Sequence, residues 1–217
     1  LAHYSPGHDI WGGNCSIFVK GGNLFMRECS VQSTSGRGIV VVKGGKVKAK
    51  NCTIHDCAAT GVYVGDTDTA CTLDECNVVR NGVGGVTIPP GHSGVYIESA
   101  HSIINDCYVT MNSLTGVTVV RGGNCVMRNS DIYENGADGF TVEDTTDRGT
   151  KALLEGNYID GLFDGDGRSS RTEPKKIRTS IMVKFAEKDG VEYGLLRGVI
   201  DAHANQSESV GDTDFDD

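Results

Sequence analysis

One unit of this chain recurs along its length. The segments CSIFVKGGNLFMREC (15–29), GIVVVKGGKVKAKNC (38–52) and GVTVVRGGNCVMRNS (116–130) align without gaps, and GVYVGDTDTACTLDEC (61–76) joins them with one extra residue. The first position falls at Cys15, Gly38, Gly61, Gly85, Gly116 and Gly139, so the spacings are 23, 23, 24, 31 and 23 residues. A fixed period of this size marks a solenoid, because one such unit cannot bury its apolar face alone and must stack on its neighbours.

Each unit contains three short strands. The first follows the glycine: IVVV (39–42), VYV (62–64), VTI (86–88), VTVV (117–120) and FTV (140–142). Strand alternation sends Ile39, Val62, Val86, Val117 and Phe140 inward, and Val40, Tyr63, Thr87, Thr118 and Thr141 outward. The second strand carries Leu24/Met26, Val47/Ala49, Cys71/Leu73, Ile104, Cys125/Met127 and Leu154. The third carries Cys29-x-Val31, Cys52-x-Ile54, Cys76-x-Val78, Cys107-x-Val109, Ser130-x-Ile132 and Asn157-x-Ile159. Three strands in about 23 residues predict an all-β fold, a right-handed parallel β-helix of about six coils. The composition agrees: 30 glycines, 4 prolines and 6% aromatics suit many tight turns between β-branched strands. Glycine is expected at the corners for its freedom to take positive φ.

Two columns are expected to be structural. Thr34, Cys57, Asn81, Asn112 and Asn135 each stand four residues before the first position of the next coil. Asparagine amides so placed can bond from coil to coil as a ladder. Cys29, Cys52, Cys76 and Cys107 share one inward position and read as small buried apolar groups, reduced and unlinked. Unlinked thiols predict an intracellular, cytoplasmic or nuclear protein.

The repeat is interrupted at GVTIPPGHSGVYIESAHS (85–102), about eight residues too long. Gly85-Val-Thr-Ile and Gly94-Val-Tyr-Ile compete for one strand slot, and Pro89, Pro90, Gly91, His92 and Ser93 form a protruding loop between them. Function in a solenoid concentrates at such breaks. Pro89, Pro90, His92 and Ser93, with Tyr63 and Tyr96 beside them, are the candidate contact residues, His92 and Ser93 being exposed. Two further breaks are Glu143–Arg148 and Asp160–Gly167; in the latter Asp160, Asp164 and Asp166 are weak calcium candidates, without EF-hand spacing. No cofactor is expected.

Outside the coils, residues 1–14 read as an N-terminal cap or partial coil with Trp11 over the first core layer, and 15–167 as the helix proper. Residues 168–201 read as a linker and β-hairpin cap turning at Asp189-Gly190. Residues 202–217 read as an acidic disordered tail. The net charge of −9 argues against nucleic acid, and no apolar run reaches the length of a membrane span.

Asn51-Cys-Thr-Ile-His-Asp-Cys-Ala-Ala-Thr-Gly-Val-Tyr-Val64 and Asn129-Ser-Asp-Ile-Tyr-Glu-Asn-Gly-Ala-Asp-Gly-Phe-Thr-Val142 resemble units of the right-handed β-helix repeat family, the pectin-lyase-like fold. In texture they are similar to eukaryotic F-box β-helix proteins. The resemblance implies either a protein- or glycan-binding scaffold or an enzyme that cleaves or epimerises acidic polysaccharides. The outward third-strand column, Ser30, Thr53, Asn77, Tyr108, Asp131 and Tyr158, holds one acid, too few for a two-carboxylate hydrolase. Arg80, Arg121 and Arg128 are expected to be solvated. The sequence therefore favours a non-catalytic scaffold with a protein or glycan partner on an outer face. The alternatives are a polysaccharide lyase, hydrolase or epimerase and a structural subunit of a larger assembly. Three or more titratable side chains converging on one groove would favour the enzyme.

Overall fold

A computed structural model of the chain describes residues 2–3, 14–143, 149–163, 176–184 and 195–200. Three walls of parallel strands wind about one core. The first wall stacks Cys15–Lys20, Arg37–Val42, Val62–Gly65, Val95–Glu98, Val117–Val120, Phe140–Glu143 and Leu162–Phe163. The second stacks Asn23–Arg27, Lys46–Lys50, Ala70–Asp74, His101–Asn105 and Asn124–Arg128. The third stacks Ala2–His3, Ser30–Ser33, Thr53–His55, Asn77–Val79, Tyr108–Thr110 and Asp131–Tyr133. The long strand Lys151–Asp160 closes both the second and third walls.

Like residues stack because each coil lies in register on the next. Ile39, Val62, Val95, Val117 and Phe140 form one inward column, and Val31, Ile54, Val78, Val109, Ile132 and Ile159 another, all buried. The slot between Val62 and Val117 belongs to Val95, so Gly94-Val-Tyr-Ile is the strand. Val86 and Thr87 are not wall residues; Val86 is 90% exposed in the inserted loop. Choosing Val95 keeps both neighbours at the usual coil length and leaves the surplus in one excursion. The first coil also corrects the repeat: Ile17 pairs with Ile39 and Cys15 with Arg37, one residue out of the ungapped alignment, because its turn at Gly21 and Gly22 is shorter.

The corners explain the punctuation. Gly38, Gly61, Gly94, Gly116 and Gly139 do not have positive φ. A Cβ at Gly61 would sit 2.8 Å from the Asn81 amide and 2.8 Å from the Gly94 carbonyl, and Gly116 is equally crowded by Asn135 and Gly139. Glycine is there for close approach. Positive φ falls on other residues, one ahead of each ladder position: Asp56, Arg80, Met111 and Glu134 in one column, Glu28, Asn51, Glu75, Asp106 and Asn129 in the other.

The Asn column is a continuous ladder. Asn81 N–H and Nδ2 both donate to Asn112 Oδ1, at 3.0 Å each, and Asn112 repeats the pattern onto Asn135. Each amide also donates to a strand carbonyl, Ile54, Val78 or Val109. Cys57 N–H joins it through Asn81 Oδ1, whereas Thr34 is exposed. The cysteine column is a second ladder rather than a plain apolar stack. Cys52 N–H donates to Cys76 Sγ and Cys76 N–H to Cys107 Sγ, both at 3.4 Å; Cys107 N–H continues to Ser130 Oγ and Ser130 N–H to Asn157 Oδ1. None of the eight cysteines is disulfide-bonded, and Cys29, at the first coil, is only partly buried. Burial pushes the Cys57, Cys71 and Cys125 thiols up to about 12.

At the far end, Lys176–Lys184 pairs antiparallel with Lys151–Asp160, and Leu195–Ile200 pairs antiparallel with Lys176–Lys184. These antiparallel strands cover the edge that the last coil would otherwise expose. The Asp189-Gly190 turn, Trp11 and the acidic tail lie outside the described residues. At the near end, Ala2–His3 lies parallel to Gln32 and Ser33.

Two sets of variants test this packing. Val62→Asp, which buries an unpaired carboxylate, should cost on the order of 3–5 kcal/mol in denaturant titration, and Lys48→Thr on the exposed face about 0.5 kcal/mol or less. Equal losses would displace the strand phase by one residue. Cys76→Ser keeps an acceptor for Cys52 N–H, as Ser130 does for Cys107, and Cys76→Val does not. The serine variant should be the more stable by about 1–3 kcal/mol, the cost of a buried unpaired N–H; a valine variant as stable as serine would make the thiol a mere apolar filler.

Candidate functional site

The outward face of the first wall gathers the polar groups that the corners do not consume. Its column runs Val40, Tyr63, Tyr96, Thr118 and Thr141 from coil to coil. An outward column on a bare wall would be solvated, but Val40, Tyr63, Thr118 and Thr141 are all buried, Thr118 at 8% exposure. The face is thus recessed, and a charge at Thr118 would not be tolerated as a surface change.

The inserted loop contributes one flank. Gly82 N–H and Gly84 N–H donate to the carbonyls of Cys57 and Ala58, and Gly91 N–H to that of Gly82, so the excursion closes back on its own base. Gly91 N–H also donates to Ser113 Oγ at 3.2 Å. Pro89 and Pro90 are exposed; His92 is partly buried. Ser93 is buried, contrary to the expectation of exposure, and its hydroxyl shares a 2.9 Å hydrogen bond with Thr118 Oγ1. The serine is the hinge that returns the loop to the wall. Burial, and then the Arg37 charge, hold the His92 imidazole below its ordinary range, while a hydrogen bond with the Pro89 backbone acts the other way.

Tyr63 and Tyr96 stack with centroids 5.9 Å apart and planes 11° from parallel. Tyr63 and Tyr96 are register partners on adjacent strands, and that register brings the rings together. Arg37 covers the other face of Tyr63, its guanidinium carbon 5.2 Å from the centroid. Tyr63 hydroxyl donates to Glu98 Oε2 at 2.9 Å, and Arg121 Nη1 donates to Glu98 Oε1 at 2.6 Å. Both carboxylate oxygens are therefore engaged. Burial and the bond to Glu98 push the Tyr63 phenol up; burial and the Glu98 charge do the same for Tyr96. Both phenols stay protonated through the neutral range.

Tyr63, Glu98 and Arg121 thus converge, and sequence reading missed the last two. The signal existed: Glu98 follows Tyr96 by two residues on the same strand face, and Arg121 directly follows the strand Val117–Val120 that pairs with it. Arg121, Arg80 and Arg128 are not simply solvated; each reaches one coil back or forward to Glu98, Asp56 and Glu155. Among the described residues, no three His, Cys, Asp or Glu side chains assemble as metal ligands. Of the calcium candidates, Asp164 and Asp166 lie outside the described residues, and the Asp160 carbonyl accepts the Gly139 N–H at 2.7 Å.

Three parallel walls, in-register coils and corner ladders define a right-handed parallel β-solenoid. Residues 7–88 and 87–168 match the family described as right-handed beta helix region, and the chain belongs to that family. A solved pectate lyase, Pel9A, is similar at 14% identity with a TM-score of 0.47, over 59% of this chain and 35% of the lyase. This chain therefore spans about a third of that enzyme's length. No match was found among curated proteins. No helix among the described residues is long and apolar enough to cross a membrane.

The recessed imidazole gives a measurable outcome. By NMR titration His92 should lose its proton below the ordinary imidazole range of about 6.5, and Arg37→Ala should raise that midpoint part of the way, burial being the larger cause. Because the folded value is depressed, the stability linked to His92 is full above the unfolded value and falls as pH drops through the folded one. A midpoint at or above the ordinary value would place His92 in solvent, away from Arg37.

Proposed function

We propose that the chain is a binding scaffold that takes a glycan partner on the outward face of its first wall. The observation that carries this reading is the braced tyrosine stack. Arg37 and Tyr96 occupy both faces of Tyr63, and Tyr96 turns its remaining face toward the coil of Thr118. The step from a ring to a small side chain offers a ledge on which a sugar ring can lie against Tyr96, with the Glu98–Arg121 pair at its edge to bond hydroxyls. The exposed Pro89 and Pro90 stiffen the flanking loop, which lowers the ordering cost of binding.

The same geometry argues against acid–base chemistry here. Glu98 has both oxygens occupied, Arg121 is held as a cation by Glu98, and the Tyr63 phenol is held protonated. A lyase or epimerase acting on acidic glycans needs a free base at the reacting carbon. His92 is the one neutral imidazole at the flank, and the enzyme reading rests on it. The free stacked thiols support a reducing, intracellular setting for the scaffold.

Screening the 217-residue chain against neutral and acidic oligosaccharides, followed by calorimetry, tests this. Tyr96→Ala should weaken the best ligand by about 1–2 kcal/mol, roughly five- to thirtyfold in Kd, with folding retained. Unchanged affinity in Tyr96→Ala, or a protein partner that ignores this face, would refute the glycan site. Release of an unsaturated uronate product that disappears in His92→Gln would establish the enzyme instead.

A further inference from the structure

The outer face of the third wall holds a different constellation, independent of the tyrosine face. Ser30 begins the strand Ser30–Ser33, and His55 ends the neighbouring strand Thr53–His55. Ser30 pairs with Thr53, so His55 stands two residues along on the same outward face. Ser30 Oγ lies 2.8 Å from His55 Nε2, and His55 Nδ1 lies 2.6 Å from Asp56 Oδ2. Asp56 in turn receives Arg80, with Nε to Oδ1 at 2.8 Å and Nη2 to Oδ2 at 2.9 Å. Ser30 is exposed; His55 and Asp56 are partly buried.

These contacts suit one tautomer of His55. The Arg80 guanidinium, and then the His55 imidazole, hold the Asp56 carboxyl down to about 2, so it is an anion and can only accept. A neutral His55 with its proton on Nδ1, facing Asp56, leaves the Nε2 lone pair toward Ser30, where it can accept from the Ser30 hydroxyl. A hydroxyl donating to an imidazole that a carboxylate orients is the arrangement that makes serine a nucleophile.

We infer that Ser30, His55 and Asp56 form a nucleophilic triad that cleaves esters of small acyl groups. Ser30 is exposed on a wall beside Thr53, a polar setting suited to a short acyl chain on a hydroxylated alcohol such as a sugar. Ser30 Oγ attacks the acyl carbon as its proton passes to His55 Nε2. The C–O bond to the alcohol breaks, and the alcohol leaves with that proton. Water then gives a proton to Nε2 and its oxygen to the acyl carbon, releasing the acid and restoring the Ser30 hydroxyl. Asp56 stays ionised throughout, and Arg80 positions it. No oxidant, metal or co-reactant enters.

Two probes test this on the whole 217-residue chain. A fluorophosphonate should modify Ser30, located by peptide mapping, and p-nitrophenyl acetate should be hydrolysed through an acyl-enzyme on the same residue. Ser30→Ala should abolish the adduct and the acyl-enzyme. His55→Gln should slow both by about 100-fold or more, the usual scale of a lost general base. Arg80→Gln, which leaves the three members in place, should lower the rate less than His55→Gln does. Circular dichroism and thermal melting of each variant establish that it is folded. Absence of a Ser30 adduct in the folded wild-type chain, or labelling and hydrolysis that persist at the same rate in His55→Gln, would reduce the arrangement to a coil-to-coil tie. Neither result touches the tyrosine face, whose variants are read by glycan affinity.

Discussion

The close approach of successive coils at the corner before the first wall governs the packing of the whole solenoid. The N–H groups of Gly38, Gly94, Gly116 and Gly139 donate to backbone carbonyls of the next coil, as from Gly94 to Thr115 and from Gly139 to Asp160. The Asn81–Asn112–Asn135 amides lie against first-wall glycines. No Cβ fits there, and the Asn81 and Asn112 amides, each bonded to the coil before and the coil after, link the corner from one turn to the next. Once that corner is fixed, the coil separation is the strand separation, and the inward columns of Val, Ile and Phe140 must stack in register. The core is then a consequence of a polar ladder, which in turn depends on the core to exclude water.

The second ladder ties the coils with sulfur instead of amide oxygen. Sulfur accepts weakly and at longer range than oxygen, yet Cys52, Cys76 and Cys107 hold the position that Ser130 and Asn157 take in later coils. A thiol fills more apolar volume than a hydroxyl and still supplies a lone pair to the N–H of the coil before it. Exposed ion pairs such as Lys50 with Asp74 and Glu75 run parallel to both ladders, where screening by solvent makes them weak supports.

On such a frame, side chains two residues apart on one strand and level on the next are brought together without any loop to position them. Tyr63 and Tyr96 meet by register, Glu98 meets Arg121 one residue past its register partner Val120, and Ser30 and His55 meet diagonally across neighbouring strands. A rigid wall thus offers preorganised pairs on more than one face. The inserted loop matters chiefly by recessing the first of these faces, since Ser93 anchors it to Thr118.

The solenoid itself is legible in the chain of residues. A 23-residue period with Gly before each first strand and Asn or Cys at fixed distances admits no other packing, because each coil exposes an apolar face only a like coil can cover. The same period located the ladder residues and the interruption after Gly85. The rest turned on competition between equivalent local patterns: Gly85-Val-Thr-Ile and Gly94-Val-Tyr-Ile are alike as strands, and only stacking against Val62 and Val117 chose Val95. Burial of the outward column, the return of Ser93 to the wall, the pairing of Glu98 with Arg121 and the meeting of Ser30, His55 and Asp56 arise only in the assembled coils. Each joins residues of different coils or of the insertion, and those distances depend on register between strands that no single repeat contains.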